Sequence, residues 1–343
     1  MNGSSRPWDT EPRSAVVRRR LVTIPRSILV FALLSVLLPA MLAAAALVDL
    51  VRWLVQRRPW MAVRLVIFAW VFFAAELWGI LWLLWGWMRN GSRADRDKLL
   101  AAAWPVQAWW ARTLFRTVRA LFALDLQVEG IEGARPGPVI ALFRHASIVD
   151  NLLPAVLLSD DLGLRLRWII KKELLSVPAL DVGGKRLPNY FVDRESEDPW
   201  AELEAIRSLS AGLGPDEGVL IYPEGTRFTE SRRRRALERL EARGSDLWER
   251  ASRLRHLMPP KPGGVLELLD TGHDVLICGH DGLSGFARIS DLWSGAILRR
   301  TVRVSIRRIA AADVPGTRSE RVAWLYDQWQ IMDDWIAAAA GAV

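Results

Sequence analysis

The chain has 343 residues, of which 51% are hydrophobic, and a formal net charge of +8 that comes mostly from arginine. A single cysteine, Cys278, excludes an internal disulfide, and its place in an apolar run predicts a buried core residue. The basic balance suits an anionic membrane surface or a phosphorylated substrate. No nucleic-acid partner is expected, because the sequence has no zinc-finger spacing and no basic repeat interleaved with aromatic residues.

The first hundred residues are predicted to contain a membrane anchor. Residues 1–20 are polar and rich in arginine, which indicates a flexible basic N-terminus, and residues 21–100 contain two long apolar stretches. Residues 27–48 carry no charge and are long enough to cross a hydrocarbon core of roughly 30 Å, whereas residues 65–88 are interrupted by Glu76. We therefore predict a helical hairpin that either spans the membrane or is embedded in it.

The orientation of this hairpin is only weakly indicated, because arginines flank its first stretch on both sides. The bias favours a cytoplasmic N-terminus, which returns the chain after residue 89 to the cytoplasmic side, and we expect a bacterial inner membrane. Glu76 has two interpretations. It is either a functional carboxylate inside the membrane or a residue near the headgroups, on a helix that enters one leaflet.

Residues 101–343 are predicted to form one domain that begins with an amphipathic helix. Between residues 101 and 124, apolar and aromatic residues recur at helical spacing beside a basic stripe of Arg112, Arg116 and Arg119. This pattern is typical of a helix in the membrane interface, and the alternative is an ordinary helix that docks on the domain.

After residue 125 the pattern becomes α/β, since short β-branched runs alternate with helical segments. Strands are predicted at residues 138–143, 167–170, 190–192, 218–222, 274–278 and 301–306, and helices at residues 149–158, 199–212, 231–257, 264–270 and 318–336. The predicted fold is a mixed sheet flanked by helices. The arginines and glutamates of residues 231–257 indicate either a solvated helix face or a surface for an anionic ligand.

The stretch FRHASIVDN places His145 and Asp150 five positions apart at the end of a predicted strand. Residues five apart do not share a helix face, so the two can meet only if the histidine precedes the helix. Ser147 can begin that helix, because S-x-x-D is a capping pattern whose third helical position is Asp150. A carboxylate on one ring nitrogen fixes the tautomer and lets the other nitrogen act as a general base. Alone, such a pair is more often a surface histidine beside a capping aspartate.

A second stretch, GVLIYPEGTRF, leads a strand into a turn that can bind an anion. Gly225 can adopt a positive φ and expose backbone N–H groups, and Arg227 offers bidentate donors to a phosphate or carboxylate. The intervening YFVDR delivers a second cation, Arg194.

The order and separation of these motifs resemble those of the glycerolipid acyltransferases, which move an acyl group from a thioester to the hydroxyl of a glycerol phosphate or lysophospholipid. That family is marked by H-x-x-x-x-D, by G-x-x-F-I-x-R and by [FY]-P-E-G-T-R. The resemblance covers residues 126–304, and the extended motif YPEGTRFTE looks like the lysophosphatidate and lysophosphoinositide branch.

The resemblance implies that Asp150 orients His145, which deprotonates the acceptor hydroxyl. It also implies a lysophospholipid acceptor, a thioester of coenzyme A or acyl carrier protein as co-substrate, and no cofactor. No carboxylate and histidine cluster has ligand spacing, so no metal is predicted. The residues expected to bind the acceptor are Phe191, Arg194, Glu224, Gly225, Thr226 and Arg227.

Three features depart from the family pattern. Pro188 stands where the second motif has glycine, and Arg144 stands where asparagine is common before the histidine and is expected to add positive charge to the site. The fourth motif is degraded in DVLICGHDG, for which a packing or acyl-tunnel role is expected, and His280 within it has no matched partner and is predicted to be structural.

Lysophosphatidate is the expected acceptor, because two arginines suit a phosphomonoester. The alternatives are a lysophospholipid with a larger headgroup, or a catalytically decayed scaffold that binds anionic lipid. A hydrolase is disfavoured, since the sequence has no G-x-S-x-G nucleophile elbow.

Overall fold

The computed structural model describes residues 11–90, 96–193 and 198–341. The chain divides into two units. The first unit contains residues 1–124, 170–196 and 292–299, and the second contains residues 125–169, 197–291 and 300–343. The helices and strands in chain order are α1 (Arg13–Gln56), α2 (Ala62–Asn90), α3 (Arg96–Phe122), β1 (Asp125–Glu129), β2 (Val139–Phe143), β3 (Arg165–Lys171), α4 (Pro178–Gly184), β4 (Tyr190–Val192), α5 (Pro199–Ser208), β5 (Glu217–Ile221), α6 (Glu230–Ala242), α7 (Trp248–Arg253), α8 (Pro262–Leu269), β6 (Asp274–Asp281), β7 (Thr301–Ile309) and α9 (Arg318–Gly341).

The first unit is built on α1, α2 and α3, and α1 and α2 are each long and apolar enough to cross a membrane. Many of their large apolar side chains are exposed, among them Leu33, Val36, Trp78 and Trp85. Apolar side chains that find no protein partner are typical of helices that contact lipid. These helices therefore support an association with membranes.

Buried carboxylates join the helices of the first unit. Asp49, on α1, accepts hydrogen bonds from the backbone N–H groups of Met61, Ala62 and Val63, each at 3.0 Å, and so caps the start of α2. The two residues at either side of this cap, Asp49 and Met61, are fully buried. The cap fixes the turn of the helical hairpin.

Glu76 is fully buried on α2 and is occupied by two donors. Trp110 Nε1, from α3, donates to one carboxylate oxygen at 2.8 Å, and the backbone N–H of Ala179, from α4, donates to the other at 2.9 Å. A buried carboxylate held in this way joins three helices.

Both ends of the hairpin contact later parts of the chain within the first unit. At the open end of the hairpin, where α1 begins, Arg19 and Arg20 bind the buried carboxylate of Asp181, with nitrogen–oxygen distances of 2.9 Å and 3.2 Å. At the turn, Arg52 Nη2 donates to the carbonyl oxygen of Trp293 at 2.9 Å. A Cβ built on Gly295 would lie 2.3 Å from the ring of Pro59, so this approach requires glycine.

The second unit is built on a sheet in which six strands lie in the order β1-β7-β6-β2-β5-β3. Neighbouring strands are parallel except β6 and β7, which are antiparallel. All five residues of β2 are buried, as expected for a central strand covered on both faces. The predicted mixed sheet is therefore confirmed, and the predicted core position of Cys278 on β6 is confirmed as well.

Two predicted helices differ from those observed. The single helix predicted at residues 231–257 is two helices, α6 and α7, because the chain turns at Gly244 with a φ of 58°. The helix predicted at residues 149–158 is a 3₁₀ turn at Asp150–Leu152 followed by a π-helical segment at Ala155–Asp160. Pro154 lies between the two and cannot donate a backbone hydrogen bond, which accounts for the irregular winding.

Candidate active site

The loop after β2 carries the first motif. The ladder between β2 and β6 continues one residue beyond β2, since the N–H of Arg144 donates to the carbonyl oxygen of Cys278 at 3.0 Å. The next residue, His145, therefore lies directly at the carboxyl end of a buried parallel strand. Ligand sites of open α/β sheets lie at this edge.

The predicted cap at Ser147 is present and is reciprocal. Ser147 Oγ accepts from the N–H groups of Val149 at 3.0 Å and Asp150 at 3.1 Å. Asp150 Oδ2 in turn accepts from the N–H groups of Ala146 at 2.5 Å and Ser147 at 2.7 Å. These four bonds fold the loop so that the aspartate returns beside the histidine.

His145 Nδ1 lies 2.9 Å from Asp150 Oδ1, so the pair predicted from the sequence meets. Because a carboxylate only accepts, Nδ1 carries the proton and Nε2 is the basic nitrogen. Nε2 has no hydrogen-bond partner among the residues that the structure describes. Burial opposes ionisation of Asp150, but the charges and hydrogen bonds of His145 and His280 hold the pKa of its carboxyl well below the ordinary range.

The second motif follows β5 and forms a tight turn. The N–H of Gly225 donates to the carbonyl oxygen of Tyr222 at 2.9 Å, and Gly225 has a φ of 63°, as predicted. The side chain of Lys261 lies over this glycine, since a Cβ built there would be 3.4 Å from Nζ. Gly225 and Thr226 are both partly exposed.

Two hydrogen bonds join the two motifs, and a third joins the second motif to Met258. Glu224 is buried, and its Oε1 accepts from the backbone N–H of His145 at 2.9 Å while Oε2 accepts from that of Met258 at 3.2 Å. The carbonyl oxygen of His145 accepts from the N–H of Phe228 at 2.9 Å. Glu224 thus joins the loop of His145 to the segment of Met258, and each oxygen of its carboxylate accepts from one backbone N–H group. Its burial raises the pKa of Glu224 to about 8, against the hydrogen bonds from His145 and Met258 and the charge of Arg144.

Arg227 lies half-buried beside the dyad of His145 and Asp150. Its Nη1 donates to the carbonyl oxygen of Ala287. Burial lowers the pKa of Arg227, the charge of Asp150 opposes this, and the charge of Arg232 adds to it. Arg232 also donates from Nη1 to the carbonyl oxygen of Arg227 at 3.2 Å. Two guanidinium groups therefore lie near one another at the end of the second motif, an arrangement that attracts anions.

The two remaining predicted site residues are Arg194 and Phe191. Arg194 lies outside the described residues. Phe191 lies on β4 in the first unit, where its ring packs so closely on Gly184 that a Cβ there would approach its Cζ to 3.0 Å.

Three residues have contacts at the site that the sequence did not predict. The guanidinium of Arg144 is fully buried and donates to the carbonyl oxygens of His280 and His256 and to Ser284 Oγ, so it ties three segments together instead of adding charge to an open site. The ring of Tyr222 lies 4.6 Å from that of His145, measured between centroids. His280 Nε2 lies 3.2 Å from Asp150 Oδ2.

Three comparisons with known proteins agree with this geometry. Residues 125–276 match the family model Acyltransferase. Lysocardiolipin acyltransferase 1 of Danio rerio is 24% identical over 234 residues, which are 66% of this chain and 58% of that protein, so the match spans less than two thirds of the relative's length.

The fold also matches a crystal structure of PlsC, the 1-acyl-sn-glycerophosphate acyltransferase from Thermotoga maritima. The TM-score is 0.55 at 17% sequence identity, and the match covers 81% of this chain and 96% of that one. At this identity the likeness concerns the fold. Together with the family match over residues 125–276 and the joined motifs, it supports the resemblance of this chain to the glycerolipid acyltransferases.

Proposed function

We propose that this protein transfers an acyl chain from a thioester of coenzyme A or acyl carrier protein to the free hydroxyl of a lysophosphatidate-type acceptor. One observation carries the proposal: the dyad of His145 and Asp150 is hydrogen-bonded through the backbone of His145 to the turn that carries Arg227. A base and an anion-binding cation are thereby brought to one sheet edge.

The chemistry follows from the free nitrogen of the histidine. Asp150 holds the proton on Nδ1, and Nε2 of His145 takes the proton of the acceptor hydroxyl while that oxygen attacks the thioester carbonyl carbon. The new carbon–oxygen bond forms, the carbon–sulfur bond breaks, and the proton passes from His145 to the departing thiolate. A thioester is already activated, so positioning of the substrates and removal of one proton can supply most of the rate, and no covalent enzyme intermediate is required.

The acceptor phosphate is assigned to the cationic end of the second motif. Arg227 is half-buried, Arg232 lies beside it, and Lys261 lies over Gly225. Gly225 and Thr226 present the partly exposed backbone of the turn. Arg194 and Phe191 are proposed to contribute to acceptor binding through the second family motif. A phosphomonoester, with two negative charges near neutral pH, suits such a group of cations.

Membrane association gives the acceptor access to this site. The exposed apolar side chains of α1 and α2 are proposed to hold the protein at the cytoplasmic side of a bacterial inner membrane. A site at the interface can take a lysolipid without moving its chain through water, which would cost about 0.8 kcal/mol per CH₂.

A second candidate acceptor is a lysophospholipid with a larger headgroup. The observation that favours it is the name of the relative, which acts on lysocardiolipin. A catalytically decayed scaffold is the third candidate, but the free Nε2 of His145 and the intact capping loop argue against decay.

The experiment is a transfer assay on the purified full chain with one labelled acyl-CoA and a panel of lysolipids. We expect product with lysophosphatidate, and lower rates with lysocardiolipin and other large headgroups. His145→Ala should fold normally and lose about 10² or more in turnover. Absence of transfer to every acceptor would favour the scaffold, and acyl release at an equal rate without acceptor would favour a hydrolase.

A further inference from the structure

His280 is a buried polar side chain that the proposed reaction does not use. It lies on β6 and has no exposed surface, and neither ring nitrogen forms a hydrogen bond to a described residue, although Nε2 lies 3.2 Å from the aspartate of the dyad. An imidazole in a core costs free energy unless a partner compensates it, whereas an apolar residue of similar size would pack there without this cost. Its presence therefore requires a specific partner.

The partner is Asp150. His280 Nε2 lies 3.2 Å from Asp150 Oδ2, on the oxygen that also accepts from the N–H groups of Ala146 and Ser147. The other oxygen, Oδ1, contacts His145 Nδ1. Oδ2 thus accepts from two backbone amides and has one imidazole nitrogen 3.2 Å away, whereas Oδ1 contacts the base.

We propose that His280 is a positioning residue of the dyad, which donates from Nε2 to Asp150 Oδ2 and so keeps Oδ1 directed at His145. The proposal rests on the proposed acyl transfer. It extends the dyad to a histidine that is 130 positions beyond Asp150 and that carries no proton in the reaction.

The protonation state of His280 agrees with this role. Burial lowers the pKa of His280, the contact with Asp150 opposes this shift, and the charges of Arg144 and His145 add to it. Arg144 also donates to the carbonyl oxygen of His280, which fixes the end of β6. Asp281 is the adjacent charged residue on the strand. A neutral imidazole has one N–H, and the carboxylate requires that it be on Nε2.

The donor also limits how strongly Asp150 acts on the base. A carboxylate oxygen that accepts an additional hydrogen bond has its negative charge partly neutralised. When the His280 donor is lost, the full charge of Asp150 acts on His145 and favours its protonated form. The base is then available only at higher pH.

Two amide variants separate a donor from simple packing. In His280→Gln the side-chain amide reaches the position of Nε2, and in His280→Asn it is one methylene shorter and does not. We expect His280→Gln to keep kcat within about three-fold of the wild type, and His280→Asn to lower kcat by about ten-fold, the effect of one lost hydrogen bond to a charged group. KM for lysophosphatidate should change little in both.

The measurement is kcat and kcat/KM of the full chain with labelled acyl-CoA and lysophosphatidate, from about pH 5 to about pH 9. The acidic limb of the His280→Asn profile should move to higher pH, by about half a unit, and that of His280→Gln should stay. Thermal unfolding of both variants serves as the control for folding.

The proposal is overturned if the two variants have equal kcat, or if the acidic limb of the Asn variant does not move. It is also overturned if the Asn variant fails to fold while the Gln variant folds, because that result assigns His280 a structural role only. If the wild type shows no transfer that depends on lysophosphatidate, the proposed function is refuted instead. The wild-type assay alone detects that outcome.

Discussion

Buried carboxylates in the two units have different surroundings. In the first unit, Asp49 accepts from backbone N–H groups and pairs with Arg52, Glu76 accepts from an indole and a backbone N–H group, and Asp181 binds two arginines. In the second unit, Asp150 also accepts from backbone N–H groups but contacts a histidine whose other nitrogen is free. Burial of an acid is therefore no sign of function. Function is indicated instead by a titratable side chain that binds the acid through one atom and has a second polar atom without a hydrogen bond to any described residue, as His145 has at Nε2.

The largest expected effect tests the dyad. His145→Ala should lower kcat by about 10² or more, and Asp150→Asn should lower it comparably, since the amide cannot hold the productive tautomer. Because Asp150 acts through the imidazole, the double variant should lose no more than His145→Ala alone. Steady-state rates of the three variants would decide this, and losses that multiply would contradict the coupling.

The matched test in the first unit concerns stability. Asp49→Ala removes the acceptor of three backbone N–H groups, so the free energy of unfolding should fall by about 3 kcal/mol. Turnover per folded molecule should stay unchanged. Thermal unfolding in detergent, followed by a rate measured well below the transition, checks both. A loss of turnover comparable to that of Asp150→Asn would remove the contrast between the two units.

A smaller effect is expected at the cationic turn. Arg227→Ala should raise KM for lysophosphatidate by about ten-fold with a lesser change in kcat, because it removes a charged hydrogen-bond donor from the acceptor phosphate. Arg239→Ala, at an exposed position of α6, is the matched control and should leave KM unchanged. Equal KM in the two variants would mean that Arg227 does not bind the acceptor.

The smallest effect concerns pH. Since the pKa of Glu224 is raised from 4.5 to about 8, the native state binds a proton that the unfolded chain has released. The free energy of unfolding should therefore fall as pH rises from 4.5 to about 8, by on the order of a few kcal/mol. Glu224→Gln should flatten this slope. Denaturant midpoints across that pH range measure it, and an unchanged slope would show that Glu224 does not cause it.

The sequence predicts the elements whose signals are local. The strand before Arg144 is recognised by its β-branched residues, and the meeting of His145 with Asp150 follows from a capping pattern only four residues long. Gly225 is recognised for the same reason, because its turn closes within four residues.

What the sequence could not predict depends on distant contacts. Nothing near His280 indicates that its ring lies against Asp150, because the pairing of β6 with β2 creates that contact. Arginine is usually a surface residue, yet the guanidinium of Arg144 donates to carbonyl oxygens of residues that are more than 100 positions away in the sequence. Glu76 was open to two interpretations because its partners, Trp110 and Ala179, come from two other helices.

The contacts at both ends of the hairpin have a consequence for how it would enter a bilayer. Its turn is bound by residues 292–299, an excursion of eight residues between Asp291 and Arg300, and its open end by Asp181 within residues 170–196. Neither excursion contains an apolar segment long enough to cross the lipid. We therefore propose that both ends of the hairpin face the same aqueous compartment and that α1 and α2, where they bind a membrane, lie within one leaflet.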